Sequence, residues 1–146
     1  MVIGIFGESC VGKSTLAEQI QKRLDAEAYT GKDFLRLAKN EAGARLLFQE
    51  KLRAAMEGPH MIYVISEREH LSLLPEGSVL VLVTAGLDTI KARFAKRMSG
   101  NLSAPVAGML ERKHGMFDNE PYSVHVVSEE TSLDAACEQI LRLVQA

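Results

Sequence analysis

Short, continuously apolar runs alternate with stretches whose apolar residues recur every three and four positions, and the alternation spans the whole chain. "VIGIF" (Val2 to Phe6) predicts a first strand, and after a glycine-containing loop Leu16, Ala17, Ile20 and Leu24 form one helical stripe. A short second strand fits Glu27 to Thr30. Ala44, Leu47, Phe48, Leu52, Ala55 and Met56 define an amphipathic helix from Glu41 to Glu57, with Gly58-Pro59 as its stop. "MIYVIS" (Met61 to Ser66) and "VLVLVTA" (Val79 to Ala85) do not alternate, which is the pattern of strands buried on both faces. Leu87, Ile90, Phe94 and Met98 stripe a further helix. A polar segment with a glycine, Ser99 to Pro105, interrupts the pattern before a helix near Val106 to Met116. A strand at Val124 to Val127 and a helix from Ser132 complete the chain, with Thr131 and Asp134 at capping-box spacing. Strand-then-helix alternation of this kind predicts a mostly parallel sheet with helices on both faces.

Composition narrows this picture without redirecting it. At 146 residues the chain suits one domain, 1–146, with one compact core. Hydrophobic residues at 47% and charged residues at 25% are those of an ordinary globular protein. A formal charge of −2 supplies no global basic field, so nucleic acid is not an expected partner. Cys10 and Cys137 are too few for a disulfide framework and suit a reducing, cytoplasmic setting. The apolar runs are of strand length only, so neither a signal peptide nor a membrane span is expected. His60, His70, His114 and His125 lack ligand spacing; each is expected at a surface or interface, with no metal assigned to it.

The chemistry concentrates in Gly7-Glu8-Ser9-Cys10-Val11-Gly12-Lys13-Ser14. This octapeptide fits G-x-x-x-x-G-K-[ST], and it lies between a predicted strand and a predicted helix, the context the motif requires. Glycine at 7 and 12 lets the backbone turn and approach a ligand without a Cβ. The N–H groups of Ser9, Cys10, Val11, Gly12, Lys13, Ser14 and Thr15 would then converge on phosphate oxygens at a helix N-terminus. Lys13 would reach the terminal phosphates and Ser14 would place its hydroxyl on Mg²⁺. Cys10 is open to two readings, a low-pKa redox thiol at a helix N-terminus or a small residue whose side chain points away. Cys137 falls on the apolar stripe of the last helix. A GTPase would need N/T-K-x-D and D-x-x-G, and neither string occurs. After the third strand the only carboxylate in a magnesium-binding position is Glu67.

These residues resemble the nucleoside monophosphate kinase branch of the P-loop superfamily, adenylate and cytidylate kinase in particular, with shikimate kinase as a relative. The resemblance implies a three-layer α/β/α fold with a five-stranded parallel sheet and a short lid over about 99–106. "YTGKDFLRLA" (Tyr29 to Ala38) looks like the adenylate-kinase segment after the second strand, which implies that Thr30, Gly31, Asp33 and Arg36 face the phosphate acceptor. "KARFAKRM" (Lys91 to Met98) looks like the family's helix-to-lid junction, which implies that Arg93 and Arg97 close on the transferring phosphoryl group, with Arg112 beyond the lid as a third candidate. Independently of any resemblance, phosphoryl transfer asks chiefly for positioning and charge neutralisation, so a lysine, Mg²⁺ and arginines suffice.

The expectation is an ATP- and Mg²⁺-dependent kinase, monomeric or homodimeric, with Lys13, Arg93, Arg97 and Asp33 in catalytic roles and a small-molecule acceptor. The alternatives are a nucleotide-binding regulator that signals through its lid, and a slow ATPase acting on a protein. Both the lid and the segment 31 to 60 are short for the family, so the acceptor stays open between a nucleoside monophosphate, another small metabolite and an unfamiliar alcohol.

Overall fold

In the computed structural model, which describes residues 1–145, strand β1 (Val2–Phe6) is buried at every position because it has a neighbour on each side. The chain continues through α1 (Lys13–Gln21), β2 (Ala26–Thr30), a 3₁₀ turn at Asp33–Leu37, α2 (Glu41–Ala55) and β3 (His60–Ile65). A second 3₁₀ turn at Arg68–Leu73 leads to β4 (Val79–Thr84), α3 (Leu87–Arg97), α4 (Ala104–Lys113), β5 (Val124–Val127) and α5 (Leu133–Gln145). The five strands lie in the order β2-β3-β1-β4-β5 and every pairing is parallel. The three central strands β3, β1 and β4 carry the uninterrupted apolar runs that parallel, doubly covered strands require.

Alternate residues of each strand feed two cores. Ile3 and Ile5, Val81 and Val83, and Val124 and Val126 face α1 and α5, where Leu16, Ile20, Cys137 and Ile140 meet them; Ile90 of α3 and Leu110 of α4 join this side. Val2, Phe6, Tyr63 and Leu82 face the other way, towards Phe48 and Leu52 of α2 and towards Phe34 and Phe117 from loops. The second core is aromatic: Phe34 stacks on Phe48 with centroids 5.3 Å apart, and Tyr63 meets Phe48 edge-on at 4.8 Å. The result is the three-layer α/β/α arrangement the alternation predicts.

Differences from expectation are local. The helix after the lid occupies Ala104–Lys113, two residues earlier at its start than the apolar stripe suggests, because Ser103 caps it by accepting from Val106 N and Pro105 sits in its first turn. The cap of α5 is Ser132, whose Oγ accepts from Ala135 N at 3.1 Å; Thr131 Oγ1 instead accepts from Val127 N, and Asp134 pairs with Arg23. His70 is buried rather than at a surface, edge-on to Phe34, with its Nδ1 unpartnered. Both 3₁₀ turns are absent from the sequence reading.

Candidate functional site

Strand order reverses direction at β1, whose successors lie on either side of it. In open parallel sheets such a reversal leaves a crevice beyond the carboxyl ends of the strands. The loop 7–12 fills that crevice. Gly7 is required by packing: a Cβ there would lie 2.2 Å from the Val83 carbonyl oxygen of β4. Gly12 is required by conformation, with φ at +103°, and Cys10 shares the positive region at +65°. This backbone leads into α1, whose N-cap, Gly12, offers no side-chain acceptor to the first N–H groups of the helix. Those donors, together with the helix dipole, are an arrangement that can hold an anion.

Lys13, the first residue of α1, folds back across the loop. Its Nζ donates to Gly7 O at 2.8 Å and to Glu8 O at 2.5 Å, and only 6% of the residue is exposed. Burial pushes the ammonium down to about 8 from its ordinary 10.5; the Arg97 charge acts in the same direction, while Cys10 and Glu8 oppose it.

Among the described residues, three cavities border this loop. The largest, about 640 Å³, opens between α1 and the β5–α5 connection; Leu16, Val83 and Val126 give it an apolar floor, and Ser128 and Thr131 give it polar edges. A small one of about 130 Å³ lies directly over Gly12, Lys13 and Ser14, with Thr30 and Ser66 opposite. Arg97 lines both, and Arg93 and Lys96 line the first. Arg93 Nη1 also donates to the Cys10 carbonyl at 3.0 Å, pinning α3 against the loop. The third, about 370 Å³, lies beside Glu8 at the ends of β4 and β5.

The structure thus brings together Gly7, Ser9, Cys10, Val11, Gly12, Lys13, Ser14 and Thr15 with Arg93, Arg97 and Thr30. Cys10 does not point into solvent: it is 6% exposed and packs in the first core while edging both cavities. Other expected residues stand apart. Asp33 Oδ2 accepts from Thr30 N at 3.0 Å within its own turn, and the Arg36 guanidinium lies 4.7 Å from the centre of the Tyr29 ring. Arg112 is exposed on α4, and neither Asp33, Arg36 nor Arg112 lines any of the three cavities. Glu67 precedes the second 3₁₀ turn, exposed, and the strand-end residue facing the loop is Ser66.

Two carboxylates unremarked in the sequence hold the site together. Glu8, inside the loop and nearly buried, accepts from His114 Nδ1 at 3.0 Å and from Gly115 N at 3.2 Å, and so grips the end of α4. Glu129, in the β5–α5 connection, accepts from Gly86 N at 2.6 Å, at the N-cap of α3. That bond, with a second from the Thr89 hydroxyl, holds the Glu129 carboxyl below its ordinary value. Partners 107 and 43 residues apart leave no local pattern in the sequence that could have revealed them.

No family model matches the sequence, and no curated protein matches it. Solved structures do match. An uncharacterized protein from Eubacterium ventriosum shares the fold over 100% of this chain and 99% of its own, at 15% identity and a TM-score of 0.71. A sugar kinase from a Janibacter species does so over 99% and 94%, at 15% identity and a TM-score of 0.67. Shikimate kinase from Aquifex aeolicus covers 99% and 96%, at 17% identity and a TM-score of 0.59. The fold is that of the small P-loop kinases.

Proposed function

We propose that this protein is a phosphotransferase that moves the γ-phosphoryl group of MgATP to a small acceptor. The reading rests on the three-layer fold and, above all, on the position of Arg97, which borders both the large cleft and the small cavity over Lys13. A nucleoside fits the apolar floor of the cleft, its base against Ser128–Ser132, so that its phosphates run along the backbone of residues 9–14 into the small cavity.

Each side chain then has a definite task. Lys13 exchanges its bonds to the Gly7 and Glu8 carbonyls for the terminal phosphates. Arg97, reaching the same cavity, neutralises charge developing on the equatorial oxygens, and its planar fork suits two of them at once. Arg93 holds α3 on the loop through Cys10 and so fixes where Arg97 arrives. The donor set fits magnesium: the Ser14 and Ser66 hydroxyls face the small cavity, and Mg²⁺ accepts few protein oxygens alongside waters and phosphate. When bound there it would offset the negative charge of the phosphates.

Titration calorimetry tests this reading: wild type is expected to bind MgATP, and Lys13→Ala to lose the terminal-phosphate contribution, with amide shifts in Ser128–Ser132 on nucleotide addition. Absence of MgATP binding by the wild type, or equal affinity in the variant, would rule it out.

A further inference from the structure

The two cavities that share Arg97 are lined by cations and, among the described residues, by no carboxylate. Lys13 lies in the small one, Arg93 and Lys96 in the large one, and Arg97 in both. A chain with 19 acidic and 17 basic residues supplies no such excess by composition. The carboxylates closest to this region are engaged elsewhere. Glu8 accepts from His114 and Gly115, and Glu129, near enough to feel the Arg93 charge, accepts from Gly86 N and the Thr89 hydroxyl.

Arg93, Lys96 and Arg97 stand at i, i+3 and i+4 of α3 and so share one helix face, where like charges destabilise each other. The helix dipole favours Lys96 and Arg97 in the last turn, but it does not account for two cavities without a counter-charge. The neighbouring Lys91 pairs with Glu111 at 2.5 Å and lines neither cavity. Arg93 is bonded to the Cys10 carbonyl. Lys96, exposed, has no carboxylate within ion-pair distance among the described residues. It differs from Arg97 in bordering the large cleft alone.

The two cavities meet along Cys10, Gly12 and Thr15, which line both. On the phosphotransfer reading a phosphate chain crosses from one to the other there, with its nucleoside end on the side of Lys96. Resting on that reading, we propose that Lys96 is a donor-binding residue whose ammonium holds the phosphate charge that ATP and ADP have in common, and so sets the preference of the cleft for nucleotide over nucleoside. Lying outside the small cavity, it acts alike on donor and product and leaves the γ-phosphoryl group to Lys13 and Arg97.

The test is calorimetric titration of wild type, Lys96→Ala, Lys96→Arg and Lys91→Ala with MgATP and MgADP at two salt concentrations, with adenosine binding followed by amide shifts in Ser128–Ser132. Lys96→Ala is expected to weaken MgATP and MgADP by the same factor, about tenfold, to flatten the salt dependence of both, and to leave adenosine binding as in the wild type. Lys96→Arg should recover most of the loss. Lys91→Ala, which removes the same charge from the same helix outside both cavities, should keep wild-type affinity. Equal weakening by Lys91→Ala would reduce the effect to a diffuse field and overturns the proposal. So does a loss confined to MgATP, an equal loss for adenosine, or wild-type nucleotide affinity in Lys96→Ala. A wild type that fails to bind MgATP removes the phosphotransfer reading as well, whereas one that binds it and is indifferent to Lys96→Ala removes this inference alone.

Discussion

Lys13 is held by two carbonyl oxygens in a site that disfavours its charge, and on the phosphotransfer reading a bound polyphosphate would restore that charge. The difference between the ordinary 10.5 and about 8 corresponds to about 3 kcal/mol of lost preference for the ammonium. Should bound phosphates return Lys13 to its ordinary value, binding at pH 9 takes up about 0.9 proton, and affinity at pH 9 is about tenfold weaker than at pH 7. Phosphate ionisation is complete above pH 8, so it contributes no competing uptake. Calorimetric titration of MgATP at pH 9, in two buffers of different ionisation enthalpy, reads the proton count directly. Lys13→Arg, charged throughout, should abolish the uptake even if it binds more weakly. Tight binding with buffer-independent heats at pH 9 would refute the reasoning, because Lys13 would then not trade its carbonyl partners for the ligand. The sign carries over to folding: the unfolded chain holds this proton up to 10.5 and the fold only to about 8, so the Lys13 contribution to stability improves as pH rises between the two.

Arg97→Ala should lower kcat for phosphoryl transfer by about 100-fold or more while changing MgATP affinity far less, since its guanidinium acts on charge that develops during transfer; full kcat in this variant would make the arginine a surface residue only. Gly7→Ala should destabilise by about 2 kcal/mol or more, a Tm fall of roughly 5 °C or more, because the new methyl meets the backbone oxygen of Val83 rather than a movable side chain. An unchanged thermal transition would show that β4 yields there easily.

What the sequence disclosed followed from short-range pattern. The octapeptide at 7–14 is contiguous, and the central strands are apolar at nearly every position, so loop, sheet and helices were readable in order. The 3₁₀ turns at 33–37 and 68–73 escaped because one or two turns carry too few residues to show a period. His70 was misplaced because polarity alone does not show that Phe34 and Tyr63 enclose it. Asp33 and Arg36 were read from resemblance, and their side chains turn to neighbours within the same segment. The third cavity was illegible for a different reason: Glu8, Thr84, His114 and His125 become neighbours only through the sheet order.

The two carboxylate grips have a mechanical meaning. Glu129 fastens the foot of α3 to the loop beside the large cleft, and Glu8 fastens the far end of α4 to the loop 7–12. The α3–α4 hairpin is therefore an arch with both abutments tied to the loops that border the cavities. At its crown, 98–103, Ser99 and Gly100 adopt positive φ of 65° and 132°. An arch so built cannot swing as a free flap. A load on either abutment is carried to the other through the same span, because Arg93 on α3 and His114 at the end of α4 both bond to the loop 7–12.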